Sequence, residues 1–266
     1  MLPYNIATYI RLIEYASGAG YRFITFDEIS KDGRGDFSRQ HVDSGLCLLR
    51  HDVDADLAAA TAMAREEAIL GVSSTYFLML RSPCYNLMSR HSQQFAEKIL
   101  NFGHHIGLHY DQGFDELRGA SGYDTVQAVQ READWLEYLF DCKVSAVSFH
   151  QPSATLLQHG VDCGSRINTY DREYLSAFRY ISDSNRVFPL FIDAVDHLSM
   201  SKALGNCYPQ NIQLLIHPMW WVYDDFTTQE VWNRALLRNF ENMQQQLIAT
   251  EGAYGSERGL TITNLF

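Results

Sequence analysis

Residues 46–56 read Leu-Cys-Leu-Leu-Arg-His-Asp-Val-Asp-Ala-Asp, an apolar run of strand length, Leu46 to Leu49, that breaks off into charge. Behind it the Ala-rich stretch from Leu57 to Leu70 is made of strong helix formers, with Asp54 or Asp56 where an N-cap is wanted and Gly71 at its end. Ser74 to Leu80 then reads as a second strand, Ser92 to Phe102 as a helix closed by Gly103, and His105 to Tyr110 as a third strand. That order is βαβαβ. Strands separated by helices of this length imply a parallel sheet with crossover helices, either open or closed into a barrel.

Working outward, the alternation continues through a helix near Thr125 to Phe140, strands Val144 to Phe149, Phe178 to Ser182 and Gln213 to Ile216, and a last helix near Thr228 to Thr250. Toward the N-terminus, residues 5–17 carry apolar side chains at helical spacing, Tyr21 to Phe26 alternates like a short strand, and 31–45 is a polar loop. No linker, repeat or biased segment divides the chain, so residues 1–266 are expected to form a single α/β domain.

Composition narrows the function classes. With 266 residues, 46% of them hydrophobic, the chain can bury a large core, which excludes disorder. Its 21 basic and 32 acidic side chains give a net charge of -11, which opposes binding to nucleic-acid backbones and anionic lipid. The five cysteines are scattered without a CxxC pair and read as reduced thiols. No apolar run approaches the roughly 18 residues that a membrane span needs, so the expected location is the cytoplasm.

In parallel α/β folds the reactive groups collect at the C-terminal ends of the strands. Those ends carry Arg50-His51-Asp52-Val53-Asp54, His109-Tyr110-Asp111, His150-Gln151-Pro152-Ser153, Ser182-Asp183-Ser184 and His217-Pro218. Each holds a His or an Asp. Asp52 and Asp54 are two apart and share a face in a strand, where two anions repel unless a cation or a proton intervenes. A histidine from a neighbouring strand end supplies the nitrogen that zinc-like metals favour, so Asp54 with His109 is a candidate metal pair and Asp52 a candidate base. The plainer alternative is an ion pair of Asp52 or Asp54 with Arg50. Trp220, Trp221 and Tyr223 follow the last strand end and are suited either to stacking on a sugar ring or to closing the core.

The strings Leu49-Arg-His-Asp-Val-Asp, Gly103-His-His-Ile-Gly-Leu-His, Phe149-His-Gln-Pro-Ser and Leu214-Leu-Ile-His-Pro together resemble the ordered motifs of the polysaccharide deacetylase family, the NodB-like carbohydrate esterases. The likeness covers about residues 46–221 and is greatest to members from surface-polysaccharide (O-antigen or capsule) biosynthesis. It implies a distorted (β/α)7 barrel and removal of an acyl group, with a divalent metal, Zn2+ being the natural candidate. By the same resemblance Asp52 is the catalytic base, Asp54 and His109 are metal ligands, and His217 is the general acid toward the leaving amine. The family's second histidine ligand falls at Gly113, so the ligand set is incomplete. His150 is the favoured replacement, Asp111 the second candidate, and a metal-free chain the third possibility. His150 also stands where the family has a base-orienting Arg, a role Arg50 is placed to take. Arg50, Asp111, Ser153, Asp183 and Trp220 are expected to touch substrate or support the site.

The resulting expectation is a metal-dependent hydrolase that deacetylates an amino sugar on a small-molecule, nucleotide-linked or lipid-linked intermediate. A hydrolase of a formamide or cyclic amide, and a non-catalytic, metal-free sugar-binding protein, are the two competing readings. No nucleic-acid partner is expected, and the oligomeric state is left open.

Overall fold

The computed structural model describes residues 3–31, 45–117, 125–171, 176, 178–186, 211–224, 226–252 and 254. In chain order these form α1 (Ile6–Gly18), β1 (Arg22–Ile24), α2 (Phe26–Lys31), β2 (Leu46–Val53), α3 (Leu57–Ile69), β3 (Thr75–Leu78), α4 (Arg90–Asn101), β4 (His105–Asp111), α5 (Gly113–Leu117), α6 (Thr125–Phe140), β5 (Ala146–His150), α7 (Ala154–His159), β6 (Ile167–Asn168), β7 (Arg179–Ser182), a 3-10 turn (Ser184–Arg186), β8 (Ile212–Ile216), α8 (Pro218–Val222) and α9 (Thr228–Thr250). All strand pairs are parallel, in the order β6-β5-β4-β3-β2-β8-β7, with β1 on the N-terminal half of β2. The sheet curls into a distorted (β/α)7 barrel, open between β6 and β7. Side chains bridge that opening: the Tyr170 and Tyr180 rings lie 6.4 Å apart, and Gln213 Nε2 donates to the Thr169 carbonyl at 3.2 Å.

β2 is buried along its whole length, because one face meets the barrel interior and the other the helices. Leu46 and Leu48 pack inward with Phe26, Phe77 and Ala146, whereas Cys47 and Leu49 pack outward with Ile13, Met63 and Trp221. The same alternation carries Arg50 and Asp52 inward and His51 and Val53 outward. The strand runs four residues past Leu49, its expected end. Pairing of Arg50 to Val53 with Thr75 to Leu78, and of His51 with Ile216, holds the charged segment in the sheet.

Other boundaries also moved. Phe26 opens α2 rather than closing β1, since Glu28 accepts the Thr25 backbone N–H at 2.8 Å and caps a helix there. α4 begins at Arg90 because Ser89 caps it. β3 is shorter than expected, and β5 gives up Val144 and gains His150. Asp56, not Asp54, caps α3, accepting from Ala59 N at 2.9 Å, which leaves Asp54 free for other work. Cys47, Cys84, Cys142 and Cys163 are free thiols; Cys207, His41 and His197 lie outside the described residues. Among the described residues no helix is long and apolar enough to cross a membrane.

Behind β2 lies a polar cluster that the sequence did not announce. Glu67 of α3 is wholly buried, where it accepts from Tyr9 Oη, Ser74 Oγ at 2.7 Å and Tyr76 Oη at 3.1 Å. His51 Nε2 is 2.7 Å from its other oxygen, and His104 Nδ1 is 3.5 Å away. Burial raises the Glu67 pKa, but His51, His104 and Tyr9 outweigh it and hold the carboxyl below its usual 4.5. Burial lowers His104 from its usual 6.5. Both folded pKa values are depressed, so the stability they confer is present above the unfolded values and is lost on acidification, first for His104 and then for Glu67. Glu67→Gln turns an amide NH2 toward donors and is expected to cost about 2–4 kcal/mol in denaturant unfolding. It should also flatten the loss of stability below the ordinary carboxyl range; unchanged midpoints across pH would contradict this account of the cluster.

Candidate active site

Asp54 stands just beyond β2 at the barrel mouth. His109 Nε2 lies 3.1 Å from its Oδ1, and His150 Nδ1 is 3.4 Å from the same oxygen. β4 and β5 are paired neighbours, with His109 opposite Ser148 and Asp111 opposite His150. The two imidazoles therefore approach edge to face, their centroids 5.3 Å apart. One ligand atom from each of Asp54, His109 and His150 fits within 4.8 Å of the others. One carboxylate and two imidazoles make a donor set suited to a zinc-like ion, and the site keeps room for a water or substrate ligand. Burial raises the Asp54 pKa, but hydrogen bonds from His109 and His150 and the charge of His217 hold the carboxyl well below the ordinary range. The bond to Asp54 raises His150 against the effect of burial.

Asp52, 2% exposed, lies one inward step below. Its Oδ2 accepts from Ser148 Oγ at 2.9 Å and from Arg50 Nη2 at 3.4 Å, while its Oδ1 has no hydrogen-bond partner. His109 Nδ1, also unpartnered, is 3.8 Å from Oδ2. The ion pair with Arg50 thus exists, but it orients Asp52 at the site and leaves one oxygen unclaimed. Arg50 is itself fully buried, held by Tyr170 Oη at 3.0 Å and lying 4.9 Å from the Tyr170 ring centre.

Opposite them, His217 follows directly on the end of β8. Asp183, 0% exposed, accepts from the His217 backbone N–H at 3.0 Å and from Trp221 Nε1 at 2.7 Å, and it pairs with His217 Nδ1 at 2.6 Å. With Nδ1 so held, Nε2 faces Asp54, 3.9 Å from Oδ2. Burial lowers the His217 pKa, but Asp183 overrides it and pushes the imidazole up to about 9. The side chain is thereby kept protonated near neutral pH.

A cavity of about 630 Å3 is bounded by Asp52, Asp54, His109, His150 and His217 and walled by Phe149, Tyr170, Trp220 and Trp232. Its rim includes Gln151 and Asn185, non-glycine residues held at φ 46° and 58°. Such backbone strain gathers at functional sites.

Asp111, opposite His150, and Ser153 each make a local backbone bond. Asp111 Oδ1 accepts the Gly113 N–H at 2.9 Å, so its carboxylate serves the start of α5 and stays outside the Asp54 group. Ser153 caps α7, accepting from Leu156 N at 3.2 Å, and does not line the cavity. Ser148 and Tyr170 escaped the sequence reading. Ser148 was findable, being two residues before His150 on one face of β5. Tyr170 was not, because it follows a two-residue strand with no periodic signal.

No protein-family model matches the sequence, and no curated protein matches it. Solved structures similar to it include a CE4 family pseudoenzyme from Bacillus anthracis, 11% identical with a TM-score of 0.38 over 76% of this chain and 62% of that one. Another is a mutant CE4 family pseudoenzyme with restored enzymatic activity, 12% identical with a TM-score of 0.40 over 77% of this chain and 65% of that one. The chain spans less than two thirds of the length of these solved chains.

Proposed function

We propose that this chain is a metal-dependent hydrolase of the polysaccharide deacetylase type, removing an acyl group from an amino sugar. The observation that carries the reading is the convergence of Asp54, His109 and His150 within 4.8 Å of one another, beside a carboxylate with a free oxygen and opposite a protonated histidine. Asp54, His109 and His150 would hold the ion, His150 taking the place that Gly113 leaves empty in the family pattern. Bound there, a divalent ion supplies Lewis-acid chemistry, acidifying a water and drawing charge from the acyl carbonyl.

The chain's own residues do the rest. Asp52, held by Ser148 and Arg50, accepts the proton of the attacking water on its unpartnered Oδ1. Arg50, 3.4 Å from Oδ2, keeps that carboxylate aimed. His217, charged because of Asp183, gives its Nε2 proton to the departing nitrogen. The cavity of about 630 Å3 has room for a sugar ring. Within this reading the substrate is an N-acylated sugar of a surface-polysaccharide intermediate, O-antigen or capsule, carried on a nucleotide or lipid.

The test is acetate release from a panel of N-acetylated nucleotide sugars and free sugars by the purified protein, before and after chelation and zinc restoration. Release that is lost on chelation and returns with zinc is expected. Zinc-loaded protein that binds a sugar but releases no acetate would favour the non-catalytic reading. Hydrolysis confined to formamides or cyclic amides would change the bond while keeping the site.

A further inference from the structure

The last helix turns its apolar side away from the barrel. α9 is 23 residues long, yet only Val231 and Ala235 of it are buried, both in its first half. In the second half the side chains turned inward are amides: Asn239 Nδ2 donates to the Ala55 carbonyl at 2.5 Å, and Asn242 and Gln246 line a cavity of about 430 Å3 between α9 and α4. Leu236, Leu237, Met243 and Ile248 are 44–53% exposed, and Phe240 and Leu247 are only partly buried. Leu236, Phe240, Met243 and Leu247 follow one another at intervals of 4, 3 and 4 residues, the spacing of a seam that packs one helix on another. Leu237 and Ile248 widen that seam into a stripe of the breadth that a helix ordinarily turns toward a core.

We propose that this stripe is the surface on which a second copy of the chain docks, the α9 stripe of each copy covering that of the other about a two-fold axis. The charge pattern selects this partner. Each copy carries a net charge of -11, so two copies repel wherever their charged surfaces meet. The positions flanking the seam, Leu237, Asn239, Gln244 and Gln246, carry no charge, and from Asn239 to Thr250 the one charged residue is Glu241, which lies off the seam. A helix that lies on a membrane instead sets Lys and Arg along its polar face. α9 has only Arg234 and Arg238, and each is engaged with a ring, Arg234 3.9 Å from the centre of Phe226 and Arg238 5.4 Å from that of Tyr223.

The experiment is sedimentation equilibrium of the full chain over a range of concentrations. The mass is expected to move from 30.4 kDa toward twice that value as concentration rises. Leu236→Glu combined with Met243→Glu places charge in the middle of the stripe and should raise the dissociation constant more than about thirtyfold, as loss of a central anchor does. Both side chains are about half exposed, so the variant should fold, which circular dichroism checks. Tyr138→Glu, on an exposed ring of α6, should leave the dimer unchanged. A wild-type mass of 30.4 kDa at every concentration overturns the proposal, and that series decides even if the variant fails to fold. A dimer that survives the double variant, or that Tyr138→Glu weakens equally, overturns it too. Wild-type monomer that floats with phosphatidylcholine vesicles, and ceases to in the double variant, would give the stripe to a membrane and contradict the pairing.

Discussion

Asp52→Asn is expected to lower turnover by roughly a hundredfold or more, the usual worth of a positioned general base, while the fold and the bound metal persist. The amide keeps the shape of the carboxylate, and Ser148 Oγ, now 2.9 Å from Oδ2, can still donate to its oxygen. Lost are the basicity of the unpartnered Oδ1 and the charge that Arg50 faces. Arg50 is fully buried, so neutralising Asp52 leaves a buried cation with a weaker partner and should lower the melting temperature modestly as well. The check is steady-state kinetics on the best substrate of the acetate screen, with elemental analysis of both proteins. Wild-type turnover in a metal-replete variant would place the base elsewhere.

His150→Ala carries the second large effect, loss of bound metal together with activity. Removing it leaves Asp54 and His109 as protein ligands, and two ligands hold a catalytic ion poorly beside the usual three. His150 is partly exposed and packs edge-on against His109, so the variant should fold normally, and circular dichroism before metal analysis would establish that. Full metal occupancy in His150→Ala would assign His150 to positioning Asp52, the role of the family's Arg, and would reopen Asp111 as ligand despite its bond to Gly113 N. Retained metal with lost rate and lost metal with lost rate are thus distinct outcomes of one preparation.

The order of strands and helices was legible because β2 and β3 are buried throughout and β4 in all but its end residues, and because the helices between them have Ser, Asp and Gly at their ends. The site was legible for a related reason: parallel strands bring their C-terminal ends to one face, so Asp54, His109, His150 and His217 meet although up to 163 residues separate them. What stayed hidden depends on tertiary pairing. The sequence cannot say that Arg50 to Val53 remain in the sheet, because charge at a strand end looks like a loop until β3 and β8 are seen to pair with it. It left Asp54 and Asp56 equivalent as caps, and only the Ala59 N–H decides between them. Glu67, in an Ala-rich helix, reads as a solvated residue, and its burial among Tyr9, His51, Ser74 and Tyr76 comes from two strands and α1 closing over it.

Zinc-edge X-ray absorption of the reconstituted wild-type protein tests the ligand set directly. The account predicts a shell of nitrogen and oxygen only, with scattering from two imidazoles near about 2.0–2.1 Å and a carboxylate oxygen at about 2.0–2.2 Å. Sulfur in the shell at about 2.3 Å, a single imidazole, or a protein that will not retain zinc would contradict the centre built from Asp54, His109 and His150.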